Sequence, residues 1–293
     1  MPVWSPLLIA AVLWSFLPLL AFGFAGDDIR EHVSRWSRPL RLLFPASFCI
    51  PYILVAIDAF HLLWSWTALY LVLPIVVTLI LNDAARCDPM QQGNWRDFLV
   101  LLFLGCAVDL RWFESAWPPH FSVVGKLILL DSGLYGFCAI RQLNNVGYDL
   151  RLRTEDFTIG LRELAFFAPI AVPLGLILGF LHWHPGLPRL ETAAATWLFT
   201  FFAIAIPEEI FFRGWMQNLL ERRVGRTAAL LTTSAIFGLA HFNKRSVTFN
   251  WRYVLLAAMA GIFYGRAWRT RHRVGTSATT HATVDAVWSL WLL

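Results

Sequence analysis

The chain has 293 residues, of which 58% are hydrophobic and only 15% charged. A soluble domain carries roughly 25% charged residues, so a soluble globular fold is excluded. The net charge of +5 comes almost wholly from arginine; with no recognition motif or aromatic–basic groove beside it, it reads as membrane topology and not as nucleic-acid binding. The four cysteines, Cys49, Cys87, Cys106 and Cys138, lie far apart and form no CxxC pair. They suggest neither a disulfide framework nor a zinc ribbon and read as small buried residues.

Residues 1–26, 61–82, 164–188 and 227–243 contain no Asp, Glu, Lys or Arg, and a helix needs about 20 mostly apolar residues to cross a bilayer core. Helical segments are predicted, in chain order, at 3–25, 42–57, 62–82, 97–109, 124–140, 164–182, 192–212, 227–242, 253–268 and 274–292. The expected fold class is an all-α, polytopic membrane helix bundle with about 8–10 transmembrane helices, the shorter segments being tilted or re-entrant. The first segment lacks a basic flank and is long for a signal-peptide core, so it reads as a retained span. Loops after the odd-numbered segments hold 17 of the 24 Lys and Arg residues, and those after the even-numbered segments 5. That asymmetry puts these loops on the cytoplasmic side and the N-terminus outside.

The longest polar stretch, "RQLNNVGYDLRLRTEDFTIGLRE" at 141–163, divides the chain. It predicts a transmembrane bundle of unassigned role over 1–140, a polar connector over 141–163, and a second transmembrane domain over 155–293. Phe157, Leu161 and Leu164 recur at helical spacing, which suggests a helix lying on the membrane surface; a plain connecting loop is the alternative. Asp58, Asp109 and Asp131 read as caps or interfacial groups, with a second cavity as the alternative for Asp131 in "LILLDSGLY". Gly238, Gly261 and Gly265 are expected where helices approach closely.

The stretch "IPEEIFFRGW" at 206–215 places Glu208, Glu209 and Arg213 in apolar surroundings. A charge near the bilayer centre costs roughly 2.5–3.5 kcal/mol, so these groups are expected to face the bundle interior and to pair. Glu209 and Arg213, spaced i, i+4, share a helix face. Glu208 lies about 100° round the helix, without a local partner. Adjacent carboxylates in low dielectric resist joint ionisation, which suits one of them to acid–base work. Pro207 removes a backbone donor, so the helix is expected to bend there. Two more polar sites follow: His241, four residues after Phe237 in "FGLAH", and His281 with Asp285, again i, i+4, in "HATVD". Each alone reads more simply as a packed core residue. Three on consecutive, otherwise apolar segments point to one interior cavity.

"EEIFFR" is similar to the EExxxR motif of the CPBP family, the CAAX proteases and bacteriocin-processing enzymes also called the Abi family. "FGLAH" resembles its FxxxH motif, and "HATVD" its third motif, HxxxN or HxxxD. The resemblance covers roughly 155–293 and implies an intramembrane endopeptidase acting on a membrane-anchored, lipidated or hydrophobic-tailed protein or peptide. Carried over by position, Glu208 would be the general base, assisted by His241. Glu209 would support the site and pair with Arg213, Phe237 would give structural support, and His281 with residue 285 would stabilise the oxyanion. Many members have Asn where this chain has Asp285. An ionised Asp cannot donate to an oxyanion, so Asp285 is expected to orient His281 instead.

Glu208, His241 and His281 would also make a His2Glu zinc set. With HExxH absent, a metal-free glutamate mechanism without cofactor is the favoured expectation and zinc the alternative. The resemblance further implies a multi-pass protein of a bacterial cytoplasmic membrane, with no nucleic-acid partner and an open oligomeric state. A non-proteolytic binding, immunity or scaffold protein of the same fold is the second reading. A transporter is a third, disfavoured because the two halves show no repeat.

Overall fold

A computed structural model describes residues 5–59, 61–184, 186, 188–244 and 248–292. The chain divides into two compact units, Met1–Asn144 and Asn145–Leu293. It is an all-α, multi-pass membrane bundle, and no strand occurs among the described residues.

The first unit holds α1 (Pro6–Ser34), α2 (Arg38–Asp58), α3 (Trp64–Cys87), α4 (Trp95–Asp109) and α5 (Ser122–Ile140). Ser5 caps α1 by accepting from the Leu8 N–H. Asn94 and Asp97 form a reciprocal capping box that starts α4, satisfying donors that would otherwise be orphaned. Helix α5 is the inner element, with 83% of its apolar window buried. Just beyond its end, Arg141 donates to Asp97 at 3.0 Å and to Asp88 at 2.6 Å. Asp131 is buried on α5 and its Oδ1 makes no hydrogen bond to a described residue, so it is an interior group rather than a cap. Asp58 and Asp109 close α2 and α4 at partly exposed ends.

The second unit holds α6 (Thr154–Ile177), α7 (Leu190–Val224), α8 (Arg226–Leu239), α9 (Trp251–Arg271) and α10 (Val274–Trp291). Helices α8 and α9 pack closely because small residues line their contact. A Cβ on Gly238 would lie 2.5 Å from the Val254 carbonyl, and one on Gly261 3.1 Å from Ser234. Helix α10 is placed against α6 by Arg273 at its N-cap, which donates to Asp156 at 2.9 Å and to Asp149 at 3.1 Å. Thr280 adds a bond to the Gly160 carbonyl at 3.2 Å.

Each of the ten predicted segments falls on a helix, but some bounds overrun it: residues 5, 62–63, 178–182, 240–242 and 292 are not helical, and positions 3 and 4 lie outside the described residues. Among the described residues six helices, α1, α2, α3, α5, α6 and α7, are long and apolar enough to cross a membrane. The others fall short for separate reasons. Helices α4 and α8 have 15 and 14 residues, α9 carries several arginines, and α10 is rich in Thr and Ser.

The surface helix expected inside 141–163 is not a separate element. Residues 154–163 are the first turns of α6, and they bury Asp156, Ile159, Gly160 and Glu163 while Phe157 and Leu161 stay exposed. The periodicity was real, but the buried face is the one carrying the carboxylates. Each has a partner: Asp156 pairs with Arg273, and Glu163 with Arg162 and Arg266.

Candidate active site

Helix α7 is not regular around the paired glutamates. A π-helical turn at Phe201–Ala205 precedes the short α-helical piece Ile206–Glu209, and a second π-helical stretch, Ile210–Gln217, follows it. Pro207 lacks the N–H that an α-helix would use there, so the backbone changes its hydrogen-bond spacing beside the carboxylates.

Glu209 is fully buried and faces three donors. The Arg213 Nε lies 3.1 Å from its Oε2, both side chains being 0% exposed. His281 Nδ1–H donates to its Oε1 at 2.9 Å, and the Ser277 hydroxyl donates to its Oε2. The Arg213 pair is a close contact rather than an aligned hydrogen bond, since Nε and Nη1 direct no N–H at an acceptor. The guanidinium is held instead by Nη2 donating to the Gly261 carbonyl at 3.3 Å and by the faces of Phe237 and Tyr264, 4.9 and 5.7 Å away. Such cation–π contacts help carry a desolvated charge.

Glu208 turns elsewhere. Its side chain is 26% exposed, its Oε1 is 3.8 Å from Lys244 Nζ, and its Oε2 is 3.9 Å from His281 Nε2. That Oε2 is buried without a hydrogen-bond partner among the described residues. Leaving such an atom unpaired costs about 1–3 kcal/mol, and catalytic roles are among the few reasons for keeping one.

The other expected residues converge on the same place. His241, just past the end of α8, has Nδ1 on the Phe237 carbonyl at 2.8 Å; Nδ1–H donates, which leaves Nε2 with its lone pair free to accept. Phe237 sits among His241, Arg213, His281 and Tyr264, with ring centroids 4.9 Å from His241 and 5.7 Å from His281. Asp285 Oδ2 is 3.5 Å from His281 Nε2. The expectation that Asp285 orients His281 is therefore divided between two groups. Glu209 holds Nδ1 firmly, and Asp285 faces the opposite nitrogen at the limit of a hydrogen bond.

Four contributors were not singled out from sequence: Ser277, Lys244, Tyr253 and Tyr264. Tyr264 stacks on His281 with centroids 4.6 Å apart and planes 15° from parallel, and Tyr253 packs on His241 at 4.7 Å. Ser277 alone had a readable signal, because 277, 281 and 285 form one i, i+4 row on α10. An apolar cavity of about 100 Å³ opens beside the cluster, walled mainly by α6, α9 and α10, with His241, His281, Asp285 and Tyr264 facing it.

Of the alternative zinc set, His281 turns its Nε2 to within 3.9 Å of Glu208 Oε2. Among the described residues no three His, Cys, Asp or Glu side chains form a metal-holding group. Both ring nitrogens of His281 are already turned to carboxylates.

Residues 190–287 match the family model of Rce1-like type II CAAX prenyl endopeptidases. Neither the curated proteins nor the solved structures compared give a match. The matched segment starts with α7 and includes Glu208, Glu209, Arg213, Phe237, His241, His281 and Asp285.

Proposed function

We propose that the chain, whose residues 190–287 match the family model of Rce1-like type II CAAX prenyl endopeptidases, is an intramembrane endopeptidase of glutamic type, with the catalytic groups of that segment acting directly on a water. Its substrate is a membrane-anchored protein or peptide with a prenylated or otherwise hydrophobic C-terminal tail. The observation that carries this reading is the unequal state of the two glutamates. Glu209 is consumed by Arg213, His281 and Ser277, whereas Glu208 keeps an unpartnered Oε2 and partial exposure.

In the proposed reaction Glu208 takes a proton from water as its oxygen adds to the scissile carbonyl carbon, with His241 Nε2 helping to orient that water. The carbonyl π pair moves onto oxygen, and donors at the site stabilise the resulting oxyanion. The C–N bond then breaks, and the leaving nitrogen takes its proton from Glu208. Arg213 and Ser277 hold Glu209, which in turn holds His281. The apolar cavity suits the hydrophobic part of a substrate.

The test compares wild type with Glu208→Gln in nanodiscs, against membrane-anchored peptides with and without a farnesylated C-a-a-X end, reading products by mass spectrometry. Each sample is run with and without a strong chelator. Cleavage that disappears in the variant and survives chelation is expected. Loss on chelation would replace the glutamic mechanism with a metal one, and undiminished cleavage by Glu208→Gln would remove Glu208 from the role of base.

A further inference from the structure

The cluster is rich in acceptors and short of donors that face the cavity. Glu208, Glu209 and Asp285 bring carboxylates, and a carboxylate only accepts hydrogen bonds. Of the donors, Arg213 is wholly buried and does not line the cavity, Ser277 is buried and donates to Glu209, and Lys244, also outside the cavity lining, has its Nζ 3.8 Å from Glu208 Oε1. His281 gives Nδ1–H to Glu209 and turns Nε2 towards Asp285. An oxyanion forming in front of Glu208 needs a donor directed at it and free of any other acceptor.

Tyr264 meets that need. Its side chain is buried on α9, yet it lines the cavity together with His241, His281 and Asp285. Its ring lies parallel to the His281 imidazole at 4.6 Å and is pinned from the side by Phe237 at 5.7 Å. The charged groups acting on it are Asp285, Glu209 and Arg213. Its hydroxyl makes no hydrogen bond to any described residue, although a buried Tyr normally finds a partner for its O–H. Fixed in orientation and without an internal acceptor, the hydroxyl is a preorganised neutral donor.

We propose that Tyr264 is a further catalytic residue of the endopeptidase reaction, its hydroxyl donating a hydrogen bond to the oxyanion that forms when water adds to the scissile carbonyl. The inference rests on the proposed peptidase function. No proton is transferred in this contact. The hydroxyl keeps its hydrogen while the tetrahedral intermediate forms and collapses, and the proton taken by Glu208 goes to the leaving nitrogen.

The test is Tyr264→Phe, which keeps the ring stack and deletes the donor. Wild type and variant are assayed in nanodiscs with a quenched fluorogenic C-a-a-X peptide farnesylated on its Cys, and both are unfolded in parallel. Removing one oxyanion donor lowers kcat by about 10²–10³-fold, so a loss of that size is expected with KM within about threefold and an unchanged unfolding midpoint. A kcat within about threefold of wild type overturns the assignment, as does a fall in KM and kcat that tracks a lowered midpoint, since the hydroxyl would then be structural. Loss of cleavage in Glu208→Gln but not in Tyr264→Phe leaves the proposed function standing and removes this inference alone. A wild type that cleaves no peptide overturns both.

Discussion

Arg213→Met gives the most demanding test of how the interior charges are balanced. Arg213 and Glu209 are both completely buried and 3.1 Å apart, so removing the cation strands a carboxylate in a medium of low dielectric. Breaking a buried pair from one side costs about 3–5 kcal/mol. Glu209 keeps His281 Nδ1–H at 2.9 Å and the Ser277 hydroxyl, and methionine retains much of the aliphatic stem. The expected loss therefore lies at the low end, near 3 kcal/mol, a factor of about 150 in the folded-to-unfolded ratio. Glu209→Gln alone strands the guanidinium, whose remaining acceptor is the Gly261 carbonyl, and a similar loss is expected. The double variant leaves neither charge and recovers much of the difference, giving a coupling energy of about 2 kcal/mol in a double-mutant cycle. Reversible denaturant unfolding in detergent measures all four proteins. Additive losses, or an Arg213→Met cost below about 1 kcal/mol, would refute the reasoning that these charges stabilise one another.

Glu208→Gln is expected to abolish cleavage with little change in unfolding midpoint, because Oε2 has no hydrogen bond to lose; a large destabilisation would show that the carboxylate is structural. Gly238→Leu places side-chain atoms where even a Cβ lies 2.5 Å from the Val254 carbonyl and 2.7 Å from Ala258, so a loss of about 1–3 kcal/mol or more is expected from thermal unfolding. Arg273→Met removes the bonds to Asp156 and Asp149 that seat the start of α10. Lowered stability together with a lowered kcat is expected, and unchanged values of both would show that α10 is placed by packing alone. Partial burial lowers the pKa of His272, at the end of α9, below its ordinary value near 6.5. The unfolded chain then binds more protons, so this contribution to stability is present above about pH 6.5 and lost as pH falls through the folded value. His272→Asn, which tolerates the left-handed backbone found there (φ 49°), is expected to flatten that limb of a stability–pH curve.

The helices and the three polar positions were legible because the bilayer imposes a simple rule on sequence. Apolar length marks a segment, and an ionisable group inside one must have a use or a partner. The pairs Glu209–Arg213 and His281–Asp285 followed from i, i+4 spacing alone. Other features lie beyond such patterns. The π-helical turns of α7 alter backbone hydrogen bonding without a compositional mark other than Pro207. Tyr264 stands between Gly261 and Gly265, in a stretch that reads as a close-packing face, and only the approach of α10 places its ring on His281. The N-terminal part of α6 misled for a related reason. Its apolar residues are spaced as on a surface helix, but the carboxylates on the opposite face have arginine partners too distant in sequence to pair by pattern, Asp156 with Arg273 and Glu163 with Arg266.

The adjacent glutamates explain each other. One carboxylate in a membrane interior needs compensation, and this chain concentrates nearly all of it on Glu209: a guanidinium, an imidazole and a hydroxyl, from α7 and α10. That arrangement fixes the His281 ring and, through the Tyr264 stack, positions α9 as well. Glu208 can then stay unsatisfied, because its neighbour holds the helices together. A base that must accept a proton from water loses driving force with every strong donor already bound to it. Separating the two tasks between consecutive residues, on a helix whose π-helical turns splay them towards different surroundings, gives the bundle a rigid site and one carboxylate oxygen uncommitted to that rigidity.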